Sequence, residues 1–187
     1  MRTSYLRRMT AMLMLACMSP AIACTETGAF GFRFGQPVPT AAQDITIGMF
    51  GGGRIFGHYQ GVAPEPFRDF TDYGIASVTD RKAVYGITAI RELAPEWVFQ
   101  SAQDHPERAL VREKGRIQTA ELMKFYSDQH GFVFEKDGQA HFLQWKATTP
   151  TLELTIGTYG PRYVYIECLH RPLRNSEGMR ATKLPNF

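Results

Sequence analysis

The side chains that could do chemistry in this chain are few and widely spaced. Cys168-Leu169-His170 sets a thiol and an imidazole two residues apart, on one face if the segment is a strand, where a thiolate–imidazole pair is conceivable. No neighbouring residue in the pattern would orient that imidazole. Glu135, Glu153 and Glu167 lie in successive strand-like segments and could approach one another as the carboxylates of a glycosidase do. Exposed strand faces ordinarily carry such residues as well. Gly51-Gly52-Gly53-Arg54 invites an anion-cradling loop, but it lacks both the Gly-Lys-Ser/Thr ending of a phosphate loop and the G-x-G-x-x-G spacing of a dinucleotide site, so a flexible turn is the expectation. The histidines at 58, 105, 130, 141 and 170 show no H-x-x-x-H or H-E-x-x-H spacing, and no cysteine pair supplements them. No serine stands in G-x-S-x-G. The spacing therefore points to no metal, no cofactor and no familiar catalytic constellation.

A different set of residues suggests recognition. Phe142, Gln144 and Lys146, then Thr151, Glu153 and Thr155, then Tyr163, Tyr165 and Glu167 each alternate with apolar residues and so fall on one side of three consecutive strands. Tyrosines among charges suit a protein or peptide interface, because the ring supplies area while the hydroxyl stays satisfied. The competing explanation is a solvated sheet face with tyrosines chosen for strand propensity.

The elements that must hold these residues can be placed from periodicity and turn chemistry. Tyr73 to Thr79, a turn at Asp80-Arg81-Lys82 and Ala83 to Glu92 read as an antiparallel hairpin. Pro106 to His130 is the main helix, with a break at Gly115 conceivable. Ile117, Ala120, Met123 or Leu122, and Tyr126 give its inner face, and His130-Gly131 its C-terminal cap. Phe132 to Lys136, Gln139 to Ala147, Thr151 to Thr158 and Arg162 to Arg171 follow as a four-stranded antiparallel meander. Leu143, Trp145, Leu152, Leu154, Ile156, Val164, Ile166 and Cys168 load its second face, on which the helix can pack. Phe30, Phe32 and Phe34 load one face of an N-terminal strand, and residues 36–72 are too rich in proline and glycine for more than a short strand near Arg54 to Tyr59. The expectation is an α+β domain over residues 24–171, its antiparallel sheet made of an N-terminal hairpin and the C-terminal meander, with one main helix on one face. Residues 172–187 read as a loose polar tail.

Residues 1–23 have the form of a signal peptide. Arg2, Arg7 and Arg8 precede the apolar stretch Met9–Met18, and Ser19-Pro20-Ala21-Ile22-Ala23 supplies small residues for cleavage. That stretch is well short of the roughly 20 residues a membrane-spanning helix needs. The chain has 187 residues and a formal charge of +3, from 21 Lys+Arg against 18 Asp+Glu. Removing the three leader arginines leaves 18 of each, so residues 24–187 are formally neutral. A neutral domain without a basic run lacks the charge from which nucleic-acid binding draws its affinity. Cys17 would leave with the leader, and Cys24 and Cys168 would then form one disulfide in an oxidising compartment. The alternative is lipidation at Cys24, since Ala21-Ile22-Ala23-Cys24 is an imperfect lipobox with alanine where leucine usually stands.

Pro64-x-Pro66-Phe67-x-x-Phe70-x-x-Tyr73, the segment Val84-Tyr85-Gly86-Ile87-Thr88-Ala89 and the helix leading into Gly131 resemble small uncharacterised exported bacterial proteins over about residues 28 to 170. That resemblance implies no activity for any residue. Taken together, these features lead us to expect a periplasmic or secreted protein without enzymatic activity. Its partner would be a protein or peptide of the cell envelope, in the manner of an inhibitor, an immunity protein or an assembly accessory. Its candidate residues are Phe142, Lys146, Glu153, Tyr163, Tyr165 and Glu167. The alternatives are an envelope hydrolase, which would need two or more of Glu135, Glu153, Glu167, His141 and His170 to converge in a pocket, and a lipoprotein anchored through Cys24.

Overall fold

The computed structural model describes residues 24–45, 56–59, 63–77, 83–100, 106–137 and 143–181. The leader, Gly51-Gly52-Gly53-Arg54, the turn at residues 80–82, His105, His141 and Phe142 lie outside them. The fold is α+β. Among the described residues, strands β3 (Ala42–Ile45), β4 (Phe56–Tyr59), β5 (Asp72–Ser77) and β6 (Val84–Glu92) form one antiparallel meander. Strands β7 (Glu135–Lys136), β8 (Gln144–Thr148), β9 (Leu152–Tyr159) and β10 (Tyr163–His170) form a second. The two are joined edge to edge by β6 and β10, giving one sheet of order β3-β4-β5-β6-β10-β9-β8-β7.

Alternation along the strands decides which side is core. Leu154, Ile156, Val164, Ile166 and Cys168 are fully buried, and register places them beside Ile87 and Ala89 of β6 and Tyr73 and Ile75 of β5. Leu143 and Trp145 are half-buried at the margin of the same face. The expected hairpin, meander and apolar face are thus all present.

Helix α2 (Pro106–His130) covers that face, packing on β9 and β10. It runs unbroken through Gly115. Its buried positions are Val111, Gly115, Thr119, Leu122 and Tyr126, whereas Ile117 is 45% exposed and Ala120 is exposed. The expected inner face holds at Leu122 and Tyr126 but not at Ile117 and Ala120, whose places are taken by Gly115 and Thr119. The reason is closeness: a Cβ on Gly115 would lie 3.0 Å from the Leu93 side chain and 3.3 Å from that of Thr158. Thr119 is tolerated there because its hydroxyl donates to the Gly115 carbonyl at 2.8 Å. Gly131, with φ +69°, caps the helix and its amide donates to the Ser127 carbonyl. Residues 97–100, between the expected hairpin and the main helix, form the single turn α1 (Trp97–Gln100).

The N-terminal segment differs from expectation. Instead of one strand loaded by three phenylalanines, it folds into a miniature hairpin of β1 (Gly28–Ala29) and β2 (Phe32–Arg33), with Phe30 (φ +53°) and Gly31 (φ +81°) as its two turn residues. Positive φ at both central positions is what a tight turn between twisted strands requires. Phe30 adopts it because its buried ring is held against Phe67 and Tyr73. The aromatic spacing that follows also closes on itself: the Tyr73 hydroxyl donates to the Phe70 carbonyl and accepts the Phe67 amide, both at 3.1 Å. Strand β3 falls where sequence signals were weakest, and β4 is the short strand expected nearby.

The C-terminal segment corrects a second expectation. Rather than a loose tail, Arg171–Ala181 form helix α3. His170 precedes it, and its Nδ1 accepts the Leu173 amide at 3.3 Å, satisfying one of the helix's otherwise orphaned N–H groups. Leu173 packs with Ala83 against Ala76, Tyr85 and Leu169, a small cluster separate from the main core.

Cys24 and Cys168 are joined as a disulfide, with Cα atoms 6.0 Å apart across 144 residues of sequence. On a chain-entropy argument such a bridge stabilises by up to about 5 kcal/mol, through restriction of the unfolded chain. Replacing both cysteines by alanine should cost about 2–5 kcal/mol in urea unfolding, with a steeper denaturant dependence as the freed chain expands; an unchanged midpoint would show the bridge to be inert. Gly115→Val should cost about 1–3 kcal/mol despite removing a helical glycine, because the side chain has no room against Leu93 and Thr158.

Candidate functional site

The second face of the sheet carries the residues singled out for recognition. Register puts Gln144, Lys146 and Thr148 of β8, Glu153, Thr155 and Gly157 of β9, Tyr163, Tyr165 and Glu167 of β10, and Thr88 and Ile90 of β6 on this side. Five of the six predicted residues therefore share it: Lys146, Glu153, Tyr163, Tyr165 and Glu167. Phe142, the sixth, lies outside the described residues.

Tyr165 occupies the middle. It stands opposite Gly157 on one side and Ile90 on the other. A Cβ at Gly157 would come within 3.2 Å of the Tyr165 ring and 2.7 Å of the Leu143 carbonyl, so the glycine makes the hollow in which the ring lies. Burial, together with the carboxylates of Glu167 and Asp137, pushes the Tyr165 phenol well above its ordinary range. Tyr163 is half-buried beside it and is stacked by Arg162, whose guanidinium carbon lies 5.0 Å from the ring centroid. Arg162 is in turn held by Glu92 at 2.7 Å and Glu96 at 3.4 Å.

At the other end of the face Glu153 is committed. Its two carboxylate oxygens accept one hydrogen bond each from the two terminal nitrogens of Arg174 on α3, at 3.0 and 3.1 Å. Lys146 approaches the same carboxylate at 3.6 Å and Asp137 at 3.7 Å. Burial alone would raise the Glu153 carboxyl, but the Arg174 hydrogen bonds and the charges of Arg174 and Lys146 outweigh it and hold the group below the usual carboxylate range. Sequence spacing did not reveal Arg174, because it lies in the stretch taken for a tail. The available signal was Pro172, a residue at home in the first turn of a helix.

The three glutamates do share a face, as a hydrolase would require. Glu135 is opposite Lys146, and Glu167 is opposite Thr155, two residues along from Glu153. A cavity of about 400 Å³ beside β7 takes in Val133, Glu135, Lys136, Asp137, Lys146 and Thr148, but neither Glu153 nor Glu167. A general acid needs a carboxyl raised toward neutrality, and Glu153 is moved the other way. His170 is turned to capping α3 and stacking on Phe34, with ring centroids 5.4 Å apart, while Cys168 is bridged, so no thiolate–imidazole pair forms. Among the described residues no three His, Cys, Asp or Glu side chains are grouped to hold a metal ion. None of the helices described there is long and apolar enough to cross a membrane.

No family model matches this chain, and neither the curated proteins nor the solved structures include a significant match to it.

The Glu153–Arg174 pair makes a signed prediction about pH. Because the folded carboxyl is depressed, the unfolded state binds more protons on the acid side, so the pair's contribution is present above the ordinary glutamate range and is lost as pH falls through the depressed value. Glu153→Gln should cost about 1–3 kcal/mol at neutral pH and flatten this acid limb of the stability curve. Parallel wild-type and variant profiles in thermal unfolding from neutral to acid pH would contradict it.

Proposed function

We propose that this is an exported protein of a bacterial envelope that acts by binding a protein or peptide partner through the sheet face bearing Tyr163 and Tyr165. The observation that carries this reading is the setting of the two tyrosines. They lie half-buried on a sheet whose other side is the main core, between the Glu92–Arg162–Glu96 cluster and the Asp137–Lys146–Glu153–Arg174 cluster. Aromatic rings fixed in place lose little entropy on binding, and charges already held in position set orientation and selectivity. Such a centre-and-rim arrangement is where binding energy concentrates in protein interfaces.

Export is supported by the leader-like residues 1–23 and by the disulfide, a bond that persists in oxidising compartments. The same bond occupies the sulfur that a lipid thioether at Cys24 would need, which favours a released domain over a lipoprotein. The formal neutrality of residues 24–187 favours a partner recognised by shape and paired charge over a polyanion.

The test is affinity capture from envelope extract with wild type and with Tyr163→Ala/Tyr165→Ala, after checking that both unfold at similar temperatures. Loss of two central aromatics should weaken a specific complex by about 30-fold or more. Equal recovery of every partner by the two proteins would remove this face from the reading. Mass spectrometry of the N-terminus of the exported protein should find cleavage before an unlipidated Cys24; a diacylated Cys24 would overturn the released form.

A further inference from the structure

Helix α3 is attached to the sheet mainly by polar contacts among the described side chains. Among the described residues it contributes no side chain to the main core, and its apolar contact is Leu173 in a cluster of five. The other attachments described for residues 171–176 are polar. The Arg171 amide donates to the Thr151 carbonyl at 2.8 Å, its guanidinium donates to the Thr149 carbonyl at 2.7 Å, and Arg174 meets Glu153. The strand feeding α3, by contrast, is anchored covalently: Cys168 is bridged to Cys24 three residues before Arg171. Displacing α3 would break these contacts and uncover Ala76, Tyr85 and Leu169, but no strand pairing of β10 includes an α3 residue.

We propose that α3 is an internal stand-in for an arginine of the partner: in the unbound protein Arg174 fills the Glu153 position on the binding face, and a partner arginine takes that place as α3 is displaced. This rests on the reading of the face as a binding surface. The chemistry of the exchange selects the partner group. With α3 in place Glu153 is 9% exposed and paired with Arg174, so displacing α3 uncovers the carboxylate and leaves Lys146, at 3.6 Å, as the cation still beside it. Both carboxylate oxygens are used by a planar fork, a geometry that a second guanidinium reproduces and an ammonium does not. One guanidinium for another is close to neutral at Glu153 itself. The surplus needed to displace α3 then comes from neighbouring contacts, with Tyr165 and Glu167 on the adjoining strand and the Glu135–Asp137 cavity on the other side.

The experiment uses the full-length exported chain and Nα-acetyl-arginine amide as probe, followed by NMR shifts of backbone amides. Removing the internal competitor by Arg174→Ala should tighten probe binding about tenfold or more, since the wild-type site is open only for the fraction of time α3 is displaced. Shifts should centre on Lys146, Glu153 and Thr155. Nα-acetyl-lysine amide should bind far more weakly, and adding Glu153→Gln to Arg174→Ala should abolish binding. Arg174→Gln, which retains a polar side chain of similar length, should behave like Arg174→Ala and guards against misfolding of the first variant. Equal affinity in wild type and both variants, or shifts remote from Glu153, would overturn the proposal. Failure of the tyrosine test with success here would refute the interface reading and leave the guanidinium site standing; the reverse result would do the opposite.

Discussion

Everything in this fold depends on the ladder between β6 and β10. Each meander is built from chain neighbours, but the two become one sheet only where Val84–Glu92 pairs with Tyr163–His170 over seven residue pairs, from Tyr163 opposite Glu92 to Leu169 opposite Gly86. The pairing brings together segments some 70 residues apart in sequence, so loop-closure entropy opposes it before any contact rewards it. The offsetting gain comes from Ile87, Ala89, Val164, Ile166 and Cys168, which lie fully or almost fully buried around it and are roofed by α2. The disulfide acts at the same place. Cys168 is opposite Ile87, and its bond to Cys24 draws the N-terminal hairpin under the central strands, where Phe30 and Phe32 extend the core.

That ladder also marks the limit of what could be read along the chain. Alternation and turn residues report local pairing, and they located the β5–β6 hairpin and the β7–β10 meander within a few residues. They carry no information on which strand edge meets which, so a single sheet could be expected but its junction at β6 and β10 was not legible. Short elements escaped for a different reason. Ala42–Ile45 has no alternation to detect, and Gly28–Arg33 alternates well enough to imitate a single strand while its glycines permit the tight hairpin. In α2 apolar spacing locates Leu122 and Tyr126 on the inner face, but close approach to β9 places Gly115 and Thr119 there as well and leaves Ile117 outside.

The candidate face was legible in outline because a period of two separates the sides of a strand without knowledge of tertiary structure. Lys146, Glu153, Tyr163, Tyr165 and Glu167 fall together for that reason. Their pairing was not legible. Arg174 reaches Glu153 only because α3 turns back over the sheet after His170, and Arg162 reaches Glu92 only because β6 and β10 are neighbours. Gly157 was counted as ordinary strand, yet its missing side chain creates the hollow for Tyr165.

The electrostatics of this face bear on the proposed binding reading. General acid–base chemistry needs a group brought toward the working pH, so that it can hold and release a proton. Here the resolved shifts run in the opposite sense: Glu153 is held lower than an ordinary carboxylate, and Tyr163 and Tyr165 are raised above an ordinary phenol. These shifts move each group further from the neutral range, leaving the carboxylate charged and the two phenols neutral there. Fixed charges and neutral hydroxyls are poor proton shuttles and good templates for a complementary surface. The Glu153–Arg174 ion pair of the face is made by a helix that adds no described side chain to the main core. A sheet that needed Arg174 only for stability would be served as well by an apolar contact at that position, since replacing a buried pair by well-packed hydrophobes is often neutral or favourable. On the proposed reading, a guanidinium there keeps the site specific for what it holds.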